Sequence, residues 1–520
     1  MCFLGGHALQ IETNIALETR QVTKRLAHQS ANERLKLSDY LMLTGSTGLL
    51  GRYLMRDLLE SGQRLALLVR GSKRESASDR VEAILQFWER QSGKTLARPV
   101  LLEGDIRKPC LGLSGNDKRW VSRHCTSMMH SAASLTFHAD GTGEPWHTNF
   151  DGTRNMLELC DVAGLRKLHY VSTAYVCGLR QGNLLETEVD CGQTFRNDYE
   201  ESKLRSEVMV RNADFIDELT VYRPAVISGD SQTGYTNTYH GIYLYLRLMA
   251  LLAPRHPIGP DGVRVTRLRL PLQGDERRNV IPVDWVSKVM THLFLSPEAH
   301  GHTFNLAPDV CLTAKQLTDA GYTFFNSTGI EYIGYKDIDP ATYNELEAAS
   351  LPGLAMYNNY ESTDPTFDTT NLKRFAGHMP CPPIDEAMIH TYIRYGEEDR
   401  WGKRRSKSAV VPWHAADYFR EFQVADDIDY GTTSSRVSID LVGPGGGQWT
   451  LGLLRDGTLT CTDGVQADAD SLLKLNVTEF RKLVAGPVEA KTRHAVEQLF
   501  PMSSIMTFEP QVHGNRERVS

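Results

Sequence analysis

Tyr199 and Lys203 stand four residues apart in Tyr199-Glu200-Glu201-Ser202-Lys203. On a helix that spacing puts both side chains on one face, so the ammonium can sit beside the phenol. A neighbouring cation favours phenolate and draws a tyrosine pKa down from about 10 towards the working range of an acid–base catalyst. Such a phenol exchanges a proton with a carbonyl oxygen. Tyr-x-x-x-Lys is also an ordinary surface-helix pair, and its weight here comes from what precedes it. Val171-Ser172-Thr173-Ala174-Tyr175 closes an apolar strand read over Leu168 to Thr173. That end puts hydroxyls at the carboxyl edge of a sheet, where α/β proteins bind ligands.

A second group of residues is suited to a nucleotide. Gly45-Ser46-Thr47-Gly48-Leu49-Leu50-Gly51 lies where the apolar strand Tyr40 to Thr44 gives way to a helix with Leu50, Leu54 and Leu58 on one face, stopped by Gly62. Gly45 permits the tight turn, Gly48 lets the backbone approach a pyrophosphate, and Gly51 allows helix and sheet to pack closely. The helix N-terminus offers free N–H groups and partial positive charge to the phosphates. The next strand, Leu65 to Val69, ends at Arg70, followed by Gly71, Ser72, Lys73 and Arg74. A carboxylate there would hold a ribose 2′-hydroxyl, whereas an arginine pairs with a 2′-phosphate, so the spacing points to NADP(H).

The elements that must position these groups alternate. Strands are read at Val100 to Leu102, Ser127 to Ser131 and Leu219 to Tyr222, with a helix from about Tyr199. The expected fold is α/β, a doubly wound parallel Rossmann sheet with a smaller substrate-binding region. Residues 232 to 275, rich in aromatics, prolines and basic groups, show no repeated strand–helix unit and read as part of that region. Within them Gly241 to Ala253 reads equally as an acyl-pocket flap, core or a homodimer face. Residues 1–37 read as a helical extension, 38–398 as the NADP-binding domain and 399–413 as a linker that includes the basic run Gly402 to Ser408. Residues 414–520 read as a separate α+β domain. It begins with strands Val437 to Leu441, Trp449 to Leu454 and Leu459 to Cys461, the last two joined by an Asp456-Gly457 hairpin turn. Asn476 and Glu479 could then cap a helix that buries Phe480, Leu483 and Val484.

Composition narrows the partners. The 520 residues carry 57 basic and 64 acidic side chains, a net charge of -7, so no basic excess exists to grip nucleic acid. Nine scattered cysteines without a C-x-x-C pair suit a reducing cytoplasm. Gly241 to Ala253 is too short and too polar at Arg247 to span a bilayer. His130, His138, His147 and His169 lack metal-ligand spacing, and Cys177 has no activating base at a readable distance; no metal is expected.

Together, Thr44-Gly45-x-x-Gly48-x-x-Gly51, Val171-Ser172-Thr173-Ala174-Tyr175-Val176 and Tyr199-x-x-x-Lys203 resemble an extended short-chain dehydrogenase/reductase over about residues 38 to 398. Gly104-Asp105-Ile106, His130-Ser131-Ala132-Ala133, Asn149-Phe150-Asp151-Gly152-Thr153, Arg223-Pro224 to Asp230 and Ile281-Pro282-Val283-Asp284 resemble secondary motifs of the same family. The resemblance implies cofactor contacts from Gly45, Ser46, Thr47, Gly48, Leu49, Leu50, Gly51, Arg70, Asp105, Ile106, Ser131, Ala132, Ala133, Asn149, Tyr199, Lys203 and Pro224. It implies catalysis by Thr173, Tyr199 and Lys203, with Ser172 the alternative hydroxyl. The Ser172-Thr173-Ala174-Tyr175 form and Arg70 are most similar to thioester reductases: fatty acyl-CoA reductases and the terminal reductase domains of carboxylic acid reductases and nonribosomal peptide synthetases. Sugar dehydratases of the superfamily need an Asp-Glu pair where Ala174 and Tyr175 stand.

The implied reaction is NADPH-dependent reduction of a lipid-like acyl thioester, on coenzyme A or an acyl carrier protein, to the aldehyde; a second hydride would give the alcohol. An NADP-dependent hydroxysteroid or ketone dehydrogenase is the competing enzyme, and a non-catalytic lipid-binding or sensor protein the competing class. In the tail, Ser438-Ile439-Asp440-Leu441, Gly445 to Leu451, Ala467 to Asp470 and Val477-Thr478-Glu479-Phe480 resemble a sterol carrier protein 2-type domain over about 415 to 490. That resemblance implies an apolar tunnel for acyl chains or sterols.

Overall fold

Short runs of β-branched and aliphatic residues, each followed by an amphipathic helix, have one stable arrangement: strands parallel and buried on both faces. The computed structural model describes residues 39–71, 76–94, 96–345, 347–348, 351, 363–403, 415–419, 433–442, 446–454, 459–466, 469–477 and 480. In chain order the larger, Rossmann-type part begins β1 (Tyr40–Thr44), α1 (Leu49–Glu60), β2 (Arg64–Val69), α2 (Ala77–Ser92), β3 (Val100–Glu103), α3 (Gly115–His124), β4 (Cys125–His130) and α4 (Gly152–Ala163). It continues β5 (Lys167–Val171), α5 (Asp198–Arg211), β6 (Glu218–Pro224), β7 (Val226–Ser228), α6 (Ile242–Leu252), β8 (Arg264–Leu270), β9 (Val280–Pro282) and α7 (Val283–Leu295). It ends β10 (Thr303–Leu306), α8 (Ala314–Phe324), β11 (Ser327–Tyr332), α9 (Thr370–Ala376) and α10 (Glu386–Glu398). The tail holds α11 (Ala415–Phe419), β12 (Thr433–Val442), β13 (Gly447–Leu454), β14 (Leu459–Asp463) and β15 (Ser471–Asn476).

Seven strands form one parallel sheet in the order β10-β6-β5-β4-β1-β2-β3. The strand order reverses between β1 and β4, which opens a crevice beyond their carboxyl ends. Leu41 and Leu43 of β1 face the α1 side of the sheet with Leu54, Leu58 and Val286, while Met42 faces the α4 side with Met128, Met156 and Leu168. Local chemistry starts the helices. Ser76 caps α2 by accepting from Asp79 N, and Asn197 caps α5 by accepting from Glu200 N.

The substrate-side region is built from the pairs β7–β9 and β8–β11, both parallel. The segment read as flap, core or dimer face forms α6, which buries Ile242, Tyr243 and Leu246 with Leu317 of α8 and Ile389 and Tyr392 of α10. Its neighbour β8 was not legible, because arginines at 264, 267 and 269 interrupt the apolar alternation that marks a strand.

The tail forms a separate four-stranded sheet, ordered β14-β13-β12-β15. Val437, Ile439, Leu441, Trp449, Leu451 and Leu475 face Phe419 and Phe480. Asn476 ends strand β15, which pairs parallel with β12, and Val477 and Phe480 after it are helical, so it stands at the helix start as expected. Its strand lacks a two-residue alternation because Lys474, in place of an outward solvated group, is buried in ion pairs. The extension 1–37, most of the linker, Ser72 to Arg74, Asp456-Gly457, Glu479, Leu483 and Val484 lie outside the described residues. Edge strand β3 of the large sheet lies alongside β15, and Lys474 Nζ reaches Asp117 Oδ1 of α3 at 2.6 Å. Among the described residues no helix is long and apolar enough to cross a membrane.

Candidate active site

At the crevice, the chain leaves β1 at Gly45, whose φ of 75° favours glycine. A Cβ on Gly45 would stand 2.7 Å from Ala132 N, and one on Gly51 only 2.1 Å from Gly45 O. The turn from β1 into α1 therefore nests against the turn after β4 with no room for a side chain. Thr44 ties the two together: its Oγ1 accepts from Ser131 N and Ala132 N, both at 3.2 Å, and lies 2.9 Å from His130 Nδ1. With both lone pairs engaged, the Thr44 hydroxyl hydrogen is left for His130 Nδ1. Burial, then the nearby Lys203, pushes the His130 pKa down to about 3, so this histidine is a neutral acceptor.

The glycine turn suits an anionic group. Ser46 Oγ is buried and meets no hydrogen-bond partner among the described residues, and Gly48, the residue that opens α1, brings no side-chain cap to a first turn without an acid. A buried hydroxyl without a partner beside uncapped N–H groups is what a bound pyrophosphate would satisfy. Leu49 and Leu50 start α1, with Leu50 in the core.

At the end of β2, Arg70 is largely exposed and 3.5 Å from Asp105 Oδ2. The hydrogen bond from Arg107 holds Asp105 down to about 2 despite partial burial. Ile106 O accepts from Asn155 Nδ2 at 2.9 Å, and Ile106 packs on Gly152. The residue missed by sequence reasoning is Arg80, in the first turn of α2. Its Nη1 donates to Arg70 O at 2.8 Å and its Nη2 to Thr47 Oγ1 at 3.2 Å, so a second guanidinium bridges the glycine turn and the strand end. The available signal was a cation one turn into the helix that follows Arg70.

On the other side of the crevice, the Thr173 side chain lies near the Tyr199 phenol. Thr173 Oγ1 also lies 3.4 Å from Pro224 O and accepts from Tyr175 N at 3.3 Å. Ser172 turns away, its Oγ donating to buried Glu207 Oε2 at 2.6 Å. Tyr175 donates to Asp364 Oδ2 at 2.8 Å. Burial pushes the Tyr199 pKa up to about 12, with the nearby Thr173 side chain opposing the rise and Glu200 adding to it. Tyr199 is thus a phenol, not a phenolate, at neutral pH. The hydrogen bonds of Lys203 go to β5: its Nζ donates to Val171 O at 2.8 Å and to Tyr170 Oη at 3.4 Å, and lies 4.8 Å from the centre of the Tyr170 ring. Burial pulls Lys203 down to about 8, with Glu207 opposing the fall.

Asn149 spends its amide on structure: Nδ2 donates to Ser202 Oγ and Ser134 O, and Oδ1 accepts from Ser134 N. Ala133 lies in the same turn after β4. Cys177 is buried and its thiol is pushed up to about 12 by desolvation, with Glu200 adding to the rise, which makes it a poor nucleophile. Among the described residues no group of three or more His, Cys, Asp or Glu side chains could hold a metal ion. A cavity of about 290 Å³ in the tail is lined by Arg436, Thr450, Gly452, Thr460, Thr462 and Gln466. Its walls are polar and include no residue of the Thr173–Tyr199 site.

Comparison with known proteins agrees with this geometry. Residues 43–290 match the family described as male sterility protein, an NAD-binding domain. The chain is 22% identical over 395 residues to a nonribosomal peptide synthetase of Aspergillus hancockii, covering 68% of this chain and 36% of that protein. It is 25% identical over 397 residues to an aldehyde reductase of Aspergillus flavus, again 68% and 36%. The chain thus spans about a third of the length of these curated relatives. Among solved structures, the terminal R domain of the myxalamid PKS-NRPS biosynthetic pathway superposes with a TM-score of 0.57 at 25% identity, over 71% of this chain and 92% of that one. These likenesses support an NAD(P)-dependent oxidoreductase.

Proposed function

We propose that the protein, whose residues 43–290 match an NAD-binding domain, is a thioester reductase that reduces a lipid-like acyl thioester, borne on coenzyme A or an acyl carrier protein, to the aldehyde with NADPH. The observation that carries this reading is the placing of the Thr173 hydroxyl beside the Tyr199 phenol, which burial keeps protonated, at the crevice that also holds the glycine turn. When bound, NADPH supplies a hydride to the thioester carbonyl carbon. Thr173 and Tyr199 hydrogen-bond the carbonyl oxygen, and Tyr199 donates its proton as negative charge develops there. A phenol kept neutral suits that direction of transfer. The resulting hemithioacetal loses thiol to leave the aldehyde. Ala174 follows Thr173 and Tyr175 is engaged with Asp364, so no acid–base pair stands ready for sugar dehydration.

Ser46, Thr47 and the α1 N-terminus would hold the pyrophosphate, and Arg70 with Arg80 the 2′-phosphate. Residues 414–520 are read as a lipid-carrier module whose apolar sheet face, with Trp449, Phe419 and Phe480 stacked on it, would meet the acyl chain. The test supplies NADPH with a panel of acyl-CoAs, acyl carrier proteins and ketones. NADPH oxidation matched by release of one substrate thiol supports the reading; ketone turnover without thiol release replaces it with the dehydrogenase alternative.

A further inference from the structure

Helix α5 carries Tyr199, Lys203, Glu207 and Arg211 at intervals of four, so the four side chains form one stripe. Glu207 has no solvent exposure. Its carboxylate accepts from Ser172 Oγ at 2.6 Å, from Arg223 Nη2 at 2.6 Å and Nε at 3.1 Å, and from Arg211 Nη2 at 2.7 Å and Nε at 2.9 Å. Ser172 immediately precedes Thr173 at the end of β5. Arg223 immediately precedes Pro224 at the end of β6, whose carbonyl lies 3.4 Å from Thr173 Oγ1. A single buried carboxylate on α5, the helix that carries Tyr199 and Lys203, is therefore bonded to the end of β5, which delivers Thr173, and to β6, whose Pro224 carbonyl faces the Thr173 hydroxyl.

The charge on Glu207 has a second consequence. The groups facing Lys203 are Tyr170 and the Val171 carbonyl from β5, His130 from β4 and Glu207 from its own helix. His130 is neutral above about 3, and burial holds the Tyr170 phenol protonated. Glu200, next to Tyr199, is paired with buried Arg196. Arg223 and Arg211 stand behind Glu207 and contribute positive charge. Among the described residues the negative group acting on Lys203 is Glu207, which stays ionised: Arg223, Arg211 and Ser172 outweigh the desolvation that would raise it.

We propose that Glu207 is the positioning residue of this site, locking the Thr173 hydroxyl in register with the Tyr199 phenol and supplying the negative charge that faces the Lys203 ammonium. The proposal deepens the reductase reading and rests on it for its catalytic half. Its electrostatic half can be read without turnover.

In the full chain, the titration of Lys203 is followed by trace acetylation across pH 6 to 10 with mass spectrometry, beside kcat and KM for NADPH. Glu207→Gln removes the facing charge and unbalances Arg223 and Arg211. The Lys203 midpoint, about 8 in the wild type, is expected to fall by about one pH unit, and the alkaline limb of kcat with it. Glu207→Asp keeps the charge but shortens the reach, so its midpoint stays near the wild-type value while kcat falls about tenfold. Equal midpoints in wild type, Asp and Gln variants overturn the electrostatic half. If Glu207→Gln does not fold, Ser172→Ala decides the positional half: a kcat lowered about tenfold with an unchanged NADPH KM supports it, and an unchanged kcat overturns it. A wild type that turns over no thioester sinks the reductase reading, while the acetylation titration still decides the charge.

Discussion

Tyr199 and Arg80 show how far individual residues were legible. Tyr-x-x-x-Lys is readable because a helix maps four-residue spacing onto one face, yet spacing says nothing of which acceptor a buried ammonium will choose. Lys203 chose Val171 O. The catalytic weight on Tyr199 is tested by Tyr199→Phe, which is expected to lower kcat about 10²- to 10⁴-fold and to leave NADPH affinity, measured by fluorescence titration, within about twofold. An unaltered kcat would remove Tyr199 from the reaction. Arg70 was visible at the end of its strand, but Arg80 was not, because its approach to Thr47 depends on how α2 crosses the glycine turn. Arg70→Ala and Arg80→Ala are each expected to raise the KM for NADPH about tenfold, near 1.4 kcal/mol, with the KM for NADH nearly unchanged. Equal losses for both nucleotides would contradict the phosphate assignment.

At the scale of elements, the first turn of α1 and the turn after β4 form one unit. Thr44 holds it with two accepted N–H groups, and Gly45 and Gly51 leave no space within it. Gly51→Ala puts a methyl 2.1 Å from the Gly45 carbonyl oxygen, a backbone atom that cannot swing aside. The expected result is a stability loss of about 2 kcal/mol with weakened NADPH binding, measured by denaturant titration and fluorescence. A fully stable variant would show that the turn can relax. The seven parallel strands were largely foreseen, since strands buried on both faces read as apolar runs. Strands β8 and β15 were not: Arg264, Arg267 and Arg269 in one and Lys474 in the other break the pattern, and their charges are accommodated only by partners distant in sequence. Arg269 pairs with buried Glu347, and Lys474 with Asp117.

For the whole molecule, the question is how the tail relates to the reductase. Edge strand β3 lies beside β15, and the Lys474 ammonium sits between Asp117 of α3 and Asp440 of β12 at 2.6 and 3.3 Å. A sheet edge covered in this way is protected from pairing with other chains. The two acids raise the Lys474 pKa although burial opposes them. A raised lysine pKa contributes stability that is complete below the unfolded value, about 10.4, and is lost only as pH rises through the folded one. The contact should therefore hold unchanged from pH 6 to 9 and loosen above about 10. Lys474→Met leaves two carboxylates facing each other and is expected to cost about 1–2 kcal/mol, less than a fully buried pair. Faster hydrogen exchange at the Val100–Glu103 amides would accompany that loss, and unchanged exchange would show that the edge is held by other contacts.

Sequence alone determined what short-range physics controls. The glycine turn after an apolar strand, the arginine at the next strand end, the hydroxyls of Ser172 and Thr173 and the Tyr199–Lys203 spacing all follow from backbone geometry over a few residues. Tertiary structure decided the rest, because buried charge is governed by neighbours that sequence separation hides. It turned Ser172 towards Glu207 and left Thr173 for Tyr199, and it kept that tyrosine protonated by enclosing it. It also brought Arg80 to Thr47, and set Lys474 of the tail against Asp117 of the reductase, 357 residues away.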